Sequence, residues 1–201
     1  MERLICLIIC LLSVSMRADY PQSVSGLFKD NARLDMLYHP DRVEICMWYP
    51  KPSSNKVEPG CSLEAYNAGK YVLLPSDVAT LITWKLTTDA NYTWNESVDG
   101  ERVLHARVRY SKGGHVLTAD FNFSCSIAVF SYDEEIFSSG LFYPGADWVF
   151  QIAERMFPKD KVVQAIKKQK ESLISIRLDC EIAKAVEVTK SREANAAAQR
   201  P

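Results

Sequence analysis

The sequence lacks the short motifs that identify most enzymes. It contains three histidines, and it has no Gly-x-Ser-x-Gly motif, no glycine-rich phosphate loop and no cysteine pair at zinc-ligand spacing. Because a nucleophile needs a base within reach, we expect no catalytic role, no cofactor and no bound metal. The formal net charge of −1 gives no basic surface for nucleic acid, so no nucleic-acid partner is expected.

The chain also lacks an apolar run long enough to span a bilayer, so we expect no membrane span. Residues 4–14 form a shorter apolar run that follows Arg3 and precedes small residues, which is typical of a secretory signal peptide. We therefore predict a signal peptide over residues 1–18, a single secreted domain over 19–190 and a flexible tail over 191–201. The mature protein is expected to be extracellular.

Cysteine is scarce in the predicted mature chain, but its count is even. Six cysteines occur in the sequence, and two of them leave with the signal peptide. Four cysteines in an exported chain favour two disulfides, with three connectivities open. We prefer Cys46–Cys61, which would close the loop between them, and Cys125–Cys180, because both of these residues fall on apolar rows of predicted strands.

Three Asn-x-Ser/Thr sequons predict N-glycosylation at Asn91, Asn95 and Asn122. Their number indicates a eukaryotic or viral secretory origin. Asn122 also falls on the polar row of its predicted strand, where a glycan would stand in solvent.

Residues 103–129 carry the pattern on which the fold prediction is built. Apolar and polar side chains alternate with period two, which predicts half-buried strands, and a short glycine-containing break predicts a hairpin. A turn centred on Lys112 and Gly113 places Val108 opposite Leu117, so that both apolar rows share one face. The predicted apolar row is Leu104, Ala106, Val108, Tyr110, Leu117, Ala119, Phe121, Phe123, Cys125, Ile127 and Val129.

Shorter elements are predicted before the hairpin. The leucine spacing over residues 27–37 indicates a short helical face that ends before Pro40. Strand-like patterns predict strands over residues 42–49, 71–74 and 80–88. The last of these strands would carry Trp84 on its apolar face.

The pattern changes to helical spacing after the hairpin. Residues 146–157 carry a Phe/Met stripe typical of a core-facing helix, and residues 160–170 predict a second helix crowded with lysines. We expect this basic helix to be solvated; the alternative is a dock for an acidic partner, a sulfated glycan or a lipid headgroup. Alternation returns over residues 173–183 and predicts a final strand, with a pattern that extends to Val188.

These elements predict an α+β fold, with mainly antiparallel strands curled into a barrel or packed as a sandwich around the 103–129 hairpin. A helical insertion over residues 146–170 would precede the final strand at 173–183. This order of elements is similar to that of the lipocalins. The similarity covers element order only, because Ser25-Gly26-Leu27 lacks the tryptophan of the Gly-x-Trp signature in that family's first strand.

Two functional hypotheses follow from these expectations, and neither involves catalysis. The first is a secreted binding protein for a protein partner, such as an effector, a receptor ligand or an immune-modulating decoy. It rests on export, on the sequons and on aromatic residues at turns and strand ends: Trp48, Trp94, Tyr132 and Tyr143. The second is an extracellular carrier of a small hydrophobic molecule, held in a barrel cavity. That cavity would be lined by Trp84, Leu104, Val108, Leu117, Phe121, Phe123 and Ile176.

A secreted hydrolase is a more distant hypothesis. His105 and Asp120 are cross-strand neighbours in the predicted register, and such a pair can form half of an acid–base device. A structural cross-strand polar pair is the alternative interpretation. No catalytic residue is assigned.

Overall fold

The computed structural model describes residues 23–51, 65–94, 103–170, 182 and 184–191. The helices are α1 (Val24–Phe28), α2 (Asn31–Tyr38), α3 (Ser76–Leu86), α4 (Gly145–Met156) and α5 (Lys161–Gln169), with a 3-10 turn at Asp89–Asn91. The strands are β1 (Arg42–Pro50), β2 (Tyr66–Ala68), β3 (Val72–Leu73), β4 (Ala106–Lys112), β5 (His115–Asn122), β6 (Ile127–Tyr132) and β7 (Glu135–Leu141). Residues 184–191 are also helical.

The strands form one antiparallel sheet of seven strands in the order β2-β1-β4-β5-β6-β7, with β3 also pairing to β1. The α+β class with a mainly antiparallel sheet is therefore confirmed, as are the strands predicted at 42–49 and 71–74. The prediction of a barrel is not confirmed, because among the described strands β7 at one end of the sheet does not pair with β2 or β3 at the other. Helices cover the inner face of the described sheet, in the place that a second sheet of a sandwich would take.

The central hairpin is confirmed, but its turn lies one residue later than predicted. Gly113 and Gly114 form the turn, and Val108 pairs with Ala119 rather than with Leu117. The pairing shifts by two residues, which preserves the side-chain parity, so both apolar rows still face the core. The second strand ends at Asn122 and does not continue to 129, because the chain turns over residues 123–126 before β6 begins.

Helix α3 replaces the strand that was predicted over residues 80–88. Residues 82 and 86 also fit a helical spacing that begins at Val78, and Pro75 and Ser76 mark the start of the helix. The residues at that spacing are buried: Val78, Leu81, Ile82, Lys85 and Leu86. Tertiary burial of this stripe therefore outweighs the strand preference of the β-branched residues.

One hydrophobic core lies between the sheet and the helices. Every helix from α1 to α5 contributes buried side chains to it. The single helical face predicted over residues 27–37 is divided between α1 and α2, because Lys29 has a left-handed φ of +64°; Leu27 and Leu37 are both buried, one on each helix. Phe28 of α1 meets Phe130 of β6 edge to face, with ring centroids 5.0 Å apart. Each fully buried phenylalanine stabilises the fold by roughly 1.5–3 kcal/mol. None of the helices in the described ranges is long and apolar enough to cross a membrane.

The C-terminal part agrees with the sequence prediction only up to residue 170. Helices α4 and α5 confirm the two predicted helices, and Asp160 caps α5 by accepting hydrogen bonds from the backbone N–H groups of Val162 and Val163. The predicted final strand at 173–183 lies outside the described residues, except for residue 182, which is helical. The extension of that strand to Val188 is wrong, because residues 184–191 are helical.

The glycine turn of the hairpin gives a testable prediction. Both glycines have positive φ, +58° at Gly113 and +88° at Gly114, and a Cβ atom at either would meet no neighbour within 4 Å. The cost of Gly114→Ala is therefore a backbone cost, and we expect it to lower the free energy of unfolding by about 1–2 kcal/mol in urea denaturation. The control is Gly113→Asn, because asparagine tolerates the left-handed region, and an equal loss in both variants would contradict the prediction.

Candidate functional site

A cleft of about 870 Å³ opens between helices α2 and α3. The end of α2 and the start of β1 form one wall, and the segment that leads from β3 into α3 forms the other. Thr189 reaches the cleft from the helical segment at 184–191. The cleft is therefore assembled from parts of the chain that are far apart in sequence.

Helix α3 leaves room for the cleft because its two faces carry side chains of different size. The aliphatic face described above is buried in the core. The face toward the cleft carries mainly small residues at helical spacing: Ser76, Ala79, Thr80 and Thr83. Trp84 stands at the end of this face and supplies its large aromatic surface. The sequence pattern did not reveal this face, because residues 80–88 were predicted as a strand and the face exists only in a helix.

Two exposed apolar side chains flank the cleft. Tyr38 is 45% exposed and Leu73 is 59% exposed, and both line the opening. They are two of the five exposed large hydrophobic side chains in the described residues. An apolar opening that continues into an apolar cleft is typical of a binding site.

Most residues predicted to line a carrier cavity lie instead in the packed core. Val108, Leu117, Phe121 and Phe123 are fully buried in the main cluster. Phe150 of α4 packs edge to face on Phe123, with ring centroids 5.3 Å apart. The helices thus occupy the space in which a barrel would hold its ligand.

The other predicted lining residues do not share one site. Trp84 lines the cleft rather than a barrel interior. Leu104 lies in a separate small cluster with Trp48 and Tyr66, because the chain leaves the inner row before β4 begins. Ile176 lies outside the described residues.

The outer face of the sheet holds a buried ion pair between β4 and β5. Arg107 donates two hydrogen bonds to Asp120, one from Nε to Oδ1 and one from Nη2 to Oδ2, both 2.7 Å long. Trp48 of β1 donates a third from Nε1 to Oδ1, also at 2.7 Å, and its ring lies 4.5 Å from the Arg107 guanidinium. These bonds satisfy a fully buried carboxylate, which indicates a structural role for Asp120.

A second charged cluster lies beside the first and reaches the mouth of the cleft. Glu44 is buried and pairs with Arg42 at 2.6 Å, while Arg109 donates from Nε to Glu44 Oε2 at 3.1 Å. The guanidinium of Arg109 also lies 3.9 Å from the centroid of the Tyr71 ring. Arg42 lines the cleft, so one member of this cluster belongs to the candidate site.

His105 and Asp120 do not form the acid–base pair that the sequence suggested. In the observed register Asp120 pairs with Arg107, and His105 is buried with its ring stacked on Phe123. His105 Nδ1 accepts a hydrogen bond from the Phe123 backbone N–H at 2.9 Å. Burial and, to a lesser extent, the nearby Lys170 ammonium lower the pKa of the imidazole to about 4, so His105 is neutral at physiological pH.

The two described cysteines lie in different surroundings. Cys46 is buried in β1, and burial raises the pKa of its thiol to about 11, against the lowering effect of a hydrogen bond with Tyr71. This thiol is protonated at neutral pH and is a poor nucleophile. Cys125 is exposed in the turn after β5, so its predicted place on an apolar row is wrong. Their predicted partners, Cys61 and Cys180, lie outside the described residues, and the disulfides stay predictions.

The predicted glycosylation sites are less exposed than expected. Asn91 is buried, and its Nδ2, the atom that would carry a glycan, donates to the Lys85 carbonyl at 3.0 Å. Asn122 is also buried, and its Oδ1 accepts hydrogen bonds from two backbone N–H groups of the following turn, so the expectation that it faces solvent is wrong. Asn95 lies outside the described residues. Glycosylation stays a prediction, and at Asn91 it would attach a glycan to a buried nitrogen, whose one remaining N–H could keep the bond to Lys85.

The charged side chains on α5 pair in part with α4. Lys167 contacts Glu154, and Lys170 contacts Asp147. These pairs reduce the positive charge that the helix presents to a partner. Across the part of the chain that the structure describes, no group of three or more histidine, cysteine, aspartate or glutamate side chains is arranged to hold a metal ion.

Comparison of the chain with protein-family models, with curated protein sequences and with solved structures gave no match. The function is therefore inferred from the geometry of the chain itself. Within that geometry the cleft, and not the polar outer face, combines open volume with exposed apolar surface.

The Arg107–Asp120 pair gives a stability prediction. Removal of one partner leaves the other charge without its counterion, so we expect Asp120→Leu to cost about 3–5 kcal/mol in urea denaturation. The double variant Arg107→Leu/Asp120→Leu should lose clearly less than the sum of the two single variants. Lys112→Leu is the control, since it removes the pair with Asp35, which solvent screens and which contributes little to stability. Additive losses in the double variant would contradict the prediction.

His105 gives a pH prediction. The unfolded chain binds a proton at this residue near pH 6.5, whereas the folded chain does so only near pH 4. Between these values the unfolded state holds more protons, so stability falls as the pH is lowered, by roughly 3 kcal/mol in total. His105→Gln keeps an acceptor for the Phe123 N–H but cannot titrate, and its unfolding free energy should depend less on pH across this window. Parallel pH profiles for the two proteins would contradict the assignment.

Proposed function

We propose that the protein is an exported binding protein that holds a small, largely apolar molecule in the cleft between α2 and α3. The observation that carries the proposal is the cleft itself, with its volume of about 870 Å³ and the exposed side chains of Tyr38 and Leu73 at its opening. Pockets of roughly 300–1,000 Å³ are typical of small-molecule sites. Export is supported by the apolar run at residues 4–14.

The chemistry of the lining supports an apolar ligand body. Leu37, Val43 and Leu74 contribute aliphatic surface, and Trp84 contributes an aromatic wall. Polar side chains interrupt this apolar surface, among them His39, Asp41 and three threonines, and they would orient a bound ligand by hydrogen bonds. This proposal keeps the carrier function inferred from the sequence but moves it from a barrel interior to the cleft.

A protein partner is the second candidate function, and the exposure of Tyr38 and Leu73 favours it. These side chains project at the opening rather than into the floor, so a partner could cover them without entering the cleft. Among the aromatic residues that first suggested this function, Tyr143 is exposed and Trp48 is buried. The variant Leu73→Asp would weaken a protein contact more than the binding of a ligand at the floor.

The cleft gives a binding prediction. Ala79 lies on the α3 face that lines it, so Ala79→Trp would fill the space that a ligand needs. We expect the fluorescent probe N-phenyl-1-naphthylamine to bind the unaltered protein and to bind Ala79→Trp at least about 10-fold more weakly, as measured by titration. Native mass spectrometry of the secreted protein, before and after denaturation, should reveal any molecule that copurifies.

The matched control is Ile136→Trp, which places a tryptophan at an exposed site on β7, at the other end of the sheet. This variant should bind the probe like the unaltered protein. If the probe does not bind, or if it binds all three proteins equally, the cleft is not a small-molecule site. The protein-partner function then becomes the leading candidate, and a receptor-display screen follows.

A further inference from the structure

We infer that the ligand of the cleft carries a hydrogen-bond donor, a hydroxyl or an ammonium group, on its apolar body. This inference rests on the proposed function and specifies the polar end of the ligand. It depends on where the cleft's own hydroxyl protons are directed.

Two threonine hydroxyls that line the cleft donate away from it. Thr80 Oγ1 donates to the Ser76 carbonyl oxygen at 2.8 Å, and Thr189 Oγ1 donates to the Ala185 carbonyl oxygen at 3.0 Å. A hydroxyl has one proton and two lone pairs. Because each proton is already bonded to the backbone, the lone pairs are what these side chains can offer to a ligand.

Thr83, at the floor of the cleft, also directs its hydroxyl proton to another part of the protein rather than into the cleft. Its Oγ1 lies 3.2 Å from the Leu37 carbonyl oxygen and 3.3 Å from the Tyr110 hydroxyl. Its single proton is directed to one of these buried partners. The hydroxyls of Thr80, Thr83 and Thr189 therefore form a wall of acceptors.

Asp41 adds a charged acceptor at the opening. Its Oδ2 accepts a hydrogen bond from the Gly113 backbone N–H at 2.9 Å, and a carboxylate has further lone pairs available. A ligand hydroxyl is suited to the threonine wall, whereas a ligand ammonium is suited to Asp41 as well. Both groups share the ability to donate.

Two features that would attract an acid each have a carboxylate beside them. Arg42 lines the cleft but pairs with Glu44 at 2.6 Å. The first turn of α3 contains Asp77, whose Oδ1 accepts the Val78 N–H at 2.9 Å, so a carboxylate there would meet an existing negative charge. An acidic ligand would therefore have to turn its charge toward Arg42 or His39, away from Asp41 and from the threonine oxygens whose protons are already bonded.

Four probes with the same naphthalene body test the inference: 1-naphthylmethanol, its methyl ether, 1-naphthylmethylamine and 1-naphthoate. Each is titrated against the full-length secreted protein by competition with N-phenyl-1-naphthylamine. We expect the alcohol to bind about 3- to 10-fold more tightly than the ether, since the two differ in the donated hydrogen bond. The naphthoate should bind most weakly, and the amine at least as tightly as the alcohol.

Two variants test which side chains accept the hydrogen bond from the ligand. Thr80→Val/Thr189→Val removes two acceptors at nearly constant volume and should reduce the advantage of the alcohol over the ether. Asp41→Asn should lower the affinity for the amine while leaving that for the alcohol within about twofold. Thermal unfolding of each variant verifies that the fold is retained.

The outcomes separate this inference from the proposed function. If no probe binds, the cleft is not a small-molecule site, and both proposals fail. If the probes bind but the ether equals the alcohol, or the naphthoate binds best, the proposed function stands and the donor inference is overturned. If the alcohol's advantage survives the loss of both threonines, the assigned acceptors are wrong.

Discussion

The buried carboxylate of Asp120 fixes the register of the three central strands. It accepts hydrogen bonds from Arg107 on β4 and Trp48 on β1, while it belongs to β5 itself. A slip of one residue in any of these strands would move its polar side chains to the core face of the sheet. Burial there without a hydrogen-bond partner costs free energy. The pair therefore opposes alternative pairings, which is the best-attested use of buried charges.

The position of the cleft depends on this register. β1 pairs with β4 along most of its length, so its first residues are held at one end of the sheet, where Arg42 and Val43 line the cleft. The short strand β3 pairs with the same strand and delivers α3 to the opposite wall. The strand register that Asp120 stabilises on the outer face thus helps to place both walls of the cleft between α2 and α3.

The sequence predicts the central hairpin, the amphipathic helices and the antiparallel class because these rest on local periodicity. It does not predict that the described sheet stays open, because pairing between the two edge strands depends on segments far apart in the chain and leaves no local pattern. The error at α3 has a definite cause: Ile82, Trp84 and Leu86 satisfy period two, while Val78, Leu81 and Ile82 satisfy the helical period. Burial of the helical stripe in the core favours the helix. The partner predicted for His105 was wrong because the turn lies one residue later. Asp120 then pairs with Arg107, and the His105 side chain accepts a hydrogen bond from the Phe123 backbone N–H.

The contact between Asp41 and the hairpin tip joins two regions that lie 72 residues apart in the chain. One carboxylate serves both as part of the cleft lining and as the anchor of the Gly113 N–H. A ligand of the kind proposed that bound Asp41 would compete with the Gly113 N–H for this carboxylate. The Gly113 amide would then exchange its hydrogen with solvent faster, and the exchange rate at the hairpin tip would report whether the cleft is filled.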